Sequence, residues 1–426
     1  MSSSDRPKPD YTRREFLESS TRNAACMTAG VLGLSDATNA NEKLQVGVIG
    51  VGSQGQELAS LLAAMTDVQV RAICDVDARH LAVAQHTIGD LQRHAPIAVT
   101  RHEQLLERTD IDAVVVATPD HWHCQQAVDV LRSQRHLFLE TPIGHSIAEG
   151  ELICRAAARS GSVVQVGLPQ RCGAHFASAV ELVRSGLLGK IHLARAWAVH
   201  QRKSIGLCAS TRSPLGVDYP RWLGPAERRP YQENRFHGNW CWAWDYGSGE
   251  LGRWGTHNLD VALWALDLGF PRRVSAVGGI RAFQDDRETP DTLTVTYEYP
   301  ELDLVWEHRQ WGKGGIEGRT SGTAFYGESG TLVIDRSGWK VYGHQEERYA
   351  DASEIRATQL RQFVEAIKNR TTPAAGLDAG RRVSVLCHLG NISYRLGREV
   401  CFQEGTMNFG TDDVANQFLM SGPTRS

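Results

Sequence analysis

From residue 44 onward the apolar positions fall into short β-rich runs separated by longer amphipathic stretches. Leu44-Gln45-Val46-Gly47-Val48-Ile49 is the first run, and Leu58, Leu61, Leu62 and Met65 then recur at helical spacing. Further runs lie at Val68–Cys74, Asp112–Ala117, His136–Glu140 and Val163–Gly167, with helical patterns between them. Such alternation predicts a parallel, doubly wound sheet over residues 41–168. Beyond it, residues 190–200, 272–283, 291–299, 303–311 and 331–335 read as strands of a second domain, residues 169–352. Gly312-Lys313-Gly314-Gly315 and Gly318 to Gly322 mark a flexible stretch between two of these strands. Residues 353–370 and 378–397 predict helices, the first with Leu360, Phe363, Val364 and Ile367 on one face. They set apart a helical segment, 353–402, from a tail, 403–426, that has no clear periodicity and is assigned no role.

The first forty residues follow a different logic. Thr12-Arg13-Arg14-Glu15-Phe16-Leu17, then an apolar stretch from Ala24 to Leu34 and a small, polar run ending at Ala40, read as a twin-arginine signal peptide. The expected destination is the periplasm, or export by that route elsewhere. The competing reading is an amphipathic helix with a chance arginine pair. Cys26 makes a poor lipoprotein site after Asn23-Ala24-Ala25.

Composition narrows the field. A chain of 426 residues is long for one domain, and a net charge of -3 offers no electrostatic reason to expect nucleic acid. Nothing after the signal predicts stable insertion in a membrane. The nine cysteines are scattered without a CxxC pair, so no metal site and no disulfide framework is expected.

The first run leads straight into Gly50-Val51-Gly52-Ser53-Gln54-Gly55, a G-x-G-x-x-G turn between strand and helix. Gly50 permits the tight turn, Gly52 lets the backbone approach a pyrophosphate, and Gly55 allows close packing of helix on strand. The amides opening the helix at Ser53 and Gln54 then face the phosphates. Asp75 ends the second strand 20 residues past Gly55, where an acid accepts the adenosine ribose hydroxyls. A carboxylate there repels a 2′-phosphate, so NAD is expected ahead of NADP. Asp77 competes for that role, a helix cap is the plain alternative for Asp75, and Arg79 keeps NADP in play. Thr118, Pro119, His123 and Glu140 are further candidates for cofactor contact. Asp120 reads as an N-cap, and His121 and His123 as loop and first-turn residues near the cofactor rather than a metal pair.

Taken in order, Gly47 to Gly55, Ala117-Thr118-Pro119-Asp120-His121-Trp122-His123, Glu140-Thr141-Pro142, Val164-Gln165-Val166-Gly167 and Gly255-Thr256-His257-Asn258-Leu259-Asp260 make the chain resemble the glucose–fructose oxidoreductase/inositol dehydrogenase/MocA family. The resemblance covers nearly everything after residue 43. It implies an α/β fold: an N-terminal Rossmann domain, then an α+β domain whose open, mostly antiparallel sheet carries the substrate site on one face. It also implies C-terminal helices that return to the Rossmann half, a homo-oligomer (dimer or tetramer), and hydride exchange between a nicotinamide cofactor and hydroxyls of sugars or cyclitols. Two positions depart from the pattern. The family usually has Glu-Lys-Pro where this chain has Glu140-Thr141-Pro142, and an aspartate where it has Arg253. Thr141 can hydrogen-bond but carries no charge.

Of the usual Lys/Asp/His set only His257 remains, and with an ordinary pKa of about 6.5 it is the candidate acid/base. The plain alternative is a structural histidine at a helix start. Arg253 cannot act as a base. It would bind a carboxylate or sulfate, stabilise an enolate-like charge, or simply pair with Asp245 or Glu250. Trp240, Trp242 and Trp244 at period two would share one face of an extended segment. With Asp245 and Tyr246 they would form a sugar platform, or equally a packed loop. Trp244, Asp245 and Tyr246, together with Arg171 and Asp260, are the candidates for substrate contact. Three functions stay open: an NAD-dependent oxidoreductase of sugar or cyclitol hydroxyls, an NAD-dependent glycoside hydrolase or lyase with transient oxidation and no net redox, and a non-catalytic relative.

Overall fold

A computed structural model describes residues 43–344 and 346–420. The twin-arginine reading at residues 1–40 lies outside them.

Strands β1 (Leu44–Ile49), β2 (Val68–Cys74), β3 (Ile97–Val99), β4 (Ala113–Val116), β5 (His136–Leu139) and β6 (Val164–Val166) form one sheet in the order β3-β2-β1-β4-β5-β6. Every pairing is parallel. The β4 side chains Ala113 to Val116 are fully buried, as strands covered on both faces by helices must be. The three residues of β3 carry too little apolar signal to be read from sequence, and Ile97 is exposed. The order reverses between β1 and β4, which opens a crevice at the carboxyl ends of those strands.

Nine strands make the second sheet: β7 (Ile191–Val199), β8 (Arg273–Gly279), β9 (Thr292–Glu298), β10 (Asp303–Arg309), β11 (Ser321–Gly327), β12 (Thr331–Asp335), β13 (Gly338–Tyr342), β14 (Glu346–Tyr349) and β15 (Val400–Cys401). Their order is β14-β13-β12-β11-β7-β10-β9-β8-β15. All neighbours are antiparallel except β7 and β10. The glycine-rich stretch expected to be flexible is in part β11, with Gly322 opposite Trp197 of β7. A paired neighbour on each side outweighs glycine's poor strand preference.

Helices Ala174–Arg184, Thr256–Leu266 and Leu377–Leu396 pack on this sheet. Their core takes in Leu293, Val295, Tyr297 and Trp306, all fully buried. Helix Ile355–Asn369 instead turns to the first sheet, burying Leu360, Phe363 and Val364 with Val46 and Val48 of β1. The tail given no role in the sequence buries Phe409 and Phe418 in the main core, with Phe402 just before it. Phe402 and Phe409 lie in irregular backbone and Phe418 in a short 3₁₀ turn, so no period reveals them.

Between β7 and helix Thr256–Leu266 runs a long excursion with its own small core of Trp222, Leu223, Tyr231, Phe236, Ala243 and Tyr246. The tryptophan segment within it is not extended. His237–Trp242 forms a 3₁₀ turn, so the three tryptophans do not share a face.

Candidate functional site

The crevice is a cavity of about 590 Å³ lined from both halves of the molecule. The Rossmann side contributes Gly50, Gly52, Ser53, Gln54, Asp75, Thr118, Pro119, His123, Glu140 and Thr141. Gly50 has φ +83°, a left-handed conformation that glycine adopts without strain. Gly55 does not line the cavity; a Cβ there would lie 1.8 Å from the Gly50 carbonyl oxygen, so glycine is required for helix Ser53–Ala63 to approach the strand. No side chain caps that helix, whose N-terminus opens on the cavity. The turn therefore fits a dinucleotide pyrophosphate.

Asp75 also lines the cavity, its Oδ2 accepting the Val51 amide hydrogen at 2.9 Å and its Oδ1 that of Asp77 at 2.9 Å. Asp77 is the helix cap instead, accepting from the Arg79 amide. Arg79 is mostly exposed and pairs with Asp77 at 2.9 Å, so it does not reach the cavity as a 2′-phosphate ligand would. His80, 3.4 Å from Asp75, and His237 have ring centroids 4.2 Å apart with the rings tilted by 38°, and His237 bonds Asp77 at 2.9 Å. Asp77, His80 and His237 thus bring three donor atoms within 4.8 Å of one another, a grouping invisible in sequence because 157 positions separate the two histidines.

His123 spans two strand ends, with Nδ1 2.7 Å from the Pro142 carbonyl and Nε2 2.8 Å from that of Thr118. Glu140 is tied to Gln54 at 3.0 Å and stands 3.7 Å from Arg356; burial raises its pKa. Asp120 opens helix Asp120–Arg132 but does not cap it. Its carboxyl turns inward to accept the Ser248 hydroxyl at 2.8 Å, and burial pushes its pKa up to about 8.

The opposite wall comes from the segment preceding and opening helix Thr256–Leu266. Leu251–Gly255 is a π-helical turn, a geometry frequent at functional sites. It brings Arg253, Trp254 and His257 to the cavity, where Arg336 from the β12–β13 turn and Arg356 join them. No residue of the second sheet's strands lines the cavity. The Thr256 hydroxyl donates to Thr141 Oγ1 at 3.2 Å.

His257 Nδ1 is buried and has no hydrogen-bond partner among the described residues. Burial, then the charges of Arg336, Arg356 and Arg253, hold its pKa well below the usual histidine range. The ring is therefore neutral at working pH, a correction to the ordinary value expected from sequence.

The substrate candidates fare differently. Arg171 and Asp260 form a two-pronged ion pair, 2.8 Å on each arm, away from the cavity. Asp245 pairs with Arg229 at 2.6 Å, and Glu250 with His200 at 2.6 Å and Arg202 at 2.9 Å, so neither is the partner expected for Arg253. Tyr246 is fully buried, and Trp244 lies over Tyr394 and Arg395. Of the tryptophan run, Trp240 alone lines the cavity. Sequence reasoning missed Arg336, Arg356, His80 and His237, which come from distant turns and helix starts that no motif marks.

A model of the oxidoreductase family's NAD-binding Rossmann fold matches residues 44–168, and one of its C-terminal alpha/beta domain matches residues 196–426. The chain belongs to the Gfo/Idh/MocA oxidoreductase family. Its Rossmann domain binds NAD. Solved members share the fold: levoglucosan dehydrogenase in complex with NADH and levoglucosan has a TM-score of 0.67 at 18% identity, covering 84% of this chain and 99% of that one. GenD2 from gentamicin A biosynthesis, in complex with NAD, has a TM-score of 0.66 at 21% identity over 88% of this chain and 100% of its own. Among curated relatives, an alpha-N-acetylgalactosaminidase of Shewanella oneidensis is 28% identical over 218 residues, 44% of this chain and 46% of that protein. A glycosyl hydrolase family 109 protein of Saccharopolyspora erythraea is 32% identical over 162 residues, 33% of this chain and 35% of that protein. The match thus spans less than half the length of each of these curated relatives.

Proposed function

We propose that this chain is an exported, NAD-dependent enzyme that acts on a hydroxyl-bearing carbon of a sugar or sugar derivative by hydride transfer, with His257 exchanging the hydroxyl proton. The observation that carries this reading is His257, which lines the same cavity as the Gly50–Gln54 turn and whose buried Nδ1 has no hydrogen-bond partner among the described residues. Bound NAD supplies the hydride acceptor. A neutral imidazole nitrogen takes the hydroxyl proton as hydride leaves the carbon, and returns it in the reverse direction. Thr141 offers a hydroxyl to position the reacting oxygen, in place of the usual lysine, with the buried Thr256 bonded behind it. His123 and Glu140 hold the strand ends at which the cofactor lies.

A closed-cycle glycosidase reading draws on a second observation besides the names of the curated relatives. The excursion between β7 and helix Thr256–Leu266 is bonded across the Rossmann edge: the Asp218 amide donates to the Val76 carbonyl at 2.9 Å and the Ala78 amide to that of Gly216 at 2.9 Å. Trp122 Nε1 donates to the Trp222 carbonyl at 2.9 Å. A wall fastened beside Asp75 slows cofactor exchange, which suits chemistry that regenerates its own NAD.

The test is to denature the purified full chain, identify the released nucleotide, and then supply sugars and aryl glycosides while following absorbance of NADH and of the aglycone. Stoichiometric NADH from a free sugar supports the dehydrogenase. Aglycone release without accumulating NADH supports the closed cycle. Lack of resident nucleotide, with no NAD binding on addition, sinks both.

A further inference from the structure

We propose that the sugar bound beside His257 carries a carboxylate, held by the guanidinium groups of Arg253 and Arg336. This rests on the sugar-directed reading above and names the class of sugar. The His257 end of the cavity is lined by three arginines, Arg253, Arg336 and Arg356. Arg356 is answered by acids, Glu57 at 3.4 Å and Glu140 at 3.7 Å, and through them it belongs to the cofactor side. Arg253 and Arg336 form no ion pair among the described residues. The candidate acids are already engaged: Asp245 by Arg229, Glu250 by His200 and Arg202, and Asp120 by Ser248.

What holds the two free guanidiniums is soft and uncharged. Arg253 donates from Nη1 to Cys241 Sγ at 3.6 Å and lies 5.9 Å from the Trp242 ring centroid. Arg336 lies 5.4 Å from the Trp254 ring centroid, and its Nε is buried without a hydrogen-bond partner. An aromatic face supports a cation but leaves its N–H donors unspent. A buried donor without an acceptor costs free energy until a ligand supplies one. Arg336 is moreover pressed toward a lower pKa by burial and by the charge of Arg356, a strain that an anion relieves.

Chemistry selects the anion. A planar guanidinium fork matches the two oxygens of a carboxylate. A cofactor phosphate is served elsewhere, at the N-terminus of helix Ser53–Ala63. The family's usual lysine and aspartate sum to zero, whereas Thr141 and Arg253 leave a net positive charge at the reacting end. A bound carboxylate would also offset the arginine field that, after burial, helps hold His257 neutral, and so favour proton uptake when the hydroxyl is oxidised.

The experiment uses the NAD-loaded full chain and compares glucose with glucuronate, galactose with galacturonate, and glucose with glucose 6-sulfate, following binding by calorimetry and tryptophan fluorescence. At least one uronate should bind roughly tenfold to a hundredfold more tightly than its neutral parent, the range given by charge-assisted hydrogen bonds. Arg253→Gln and Arg336→Gln should each collapse that ratio toward one while retaining their NAD on denaturation. Equal affinity for neutral and acidic sugars overturns the proposal, and leaves hydride transfer standing if a neutral sugar is turned over. Preference for the sulfate ester alone also overturns it, as does loss of NAD from Arg336→Gln, which would assign that arginine to the cofactor.

Discussion

The Thr256 hydroxyl donates to Thr141 Oγ1 across 3.2 Å, joining the end of β5 to the start of the helix that carries His257. Two uncharged hydroxyls therefore meet where the family usually places a lysine, in a cavity already lined by Arg253, Arg336 and Arg356. Thr141→Lys adds a further cation there. We expect a lower melting temperature and no gain in NADH formation from the single substitution. Adding Arg253→Asp should recover stability, with a coupling of about 1 kcal/mol in a double-mutant cycle measured by denaturant unfolding. Additive effects would show that the two positions do not sense each other.

Arg171 and Asp260 were expected at the substrate, yet they pair with each other in the core. Arg171→Ala leaves a buried carboxylate without its partner and should cost about 3–5 kcal/mol. Because neither residue lines the cavity, the variant that remains folded at low temperature should keep its NAD and its KM. A KM rise with stability unchanged would return Arg171 to the substrate.

Gly55→Ala places a methyl 1.8 Å from the Gly50 carbonyl oxygen. Backbone cannot yield as a flexible side chain does, so strand and helix must separate. The expected result is a loss of about 3 kcal/mol or more in stability, together with NAD content near zero after purification. Wild-type NAD content would show that the turn relaxes.

Asp120 gives a pH prediction with a definite sign. Its folded pKa of about 8 lies above the ordinary 3.8, so the folded state binds the extra proton between those values. Stability from this group is full below pH 3.8 and declines as pH rises, by ~1.4 kcal/mol per pH unit, until the carboxyl ionises near 8. Asp120→Asn keeps an acceptor for the Ser248 hydroxyl and removes the titration. Thermal unfolding between pH 6 and 9 should fall less steeply for the variant than for the native chain, and identical slopes would refute the assignment.

Much of the Rossmann half could be read along the chain because its determinants are local. A buried parallel strand announces itself as a continuous apolar run, and the turn after β1 needs glycine at set offsets, so Gly50, Gly52, Gly55 and Asp75 are legible one after another. Helix Ile355–Asn369 was legible too, since Leu360, Phe363 and Val364 repeat at its own period. The tryptophan run failed because its period of two was read as extended backbone, whereas a 3₁₀ turn spreads the rings to different sides.

Charge pairing was where the linear reading gave out. Whether Asp245 meets Arg253 or Arg229, and whether Asp260 faces a ligand or Arg171, depends on which distant segments the sheets bring together. The same holds for His257. Its residue type and motif were plain in the sequence, but the pKa of an imidazole is set by desolvation and neighbouring charge, and Arg336 and Arg356 stand 79 and 99 positions away along the chain. Sequence by itself determined most strands of the Rossmann half, the dinucleotide turn and the family, because short-range sterics and periodic burial decide those. Only the tertiary structure decided which charges answer one another, because electrostatic energy follows distance in space and local dielectric rather than separation in sequence.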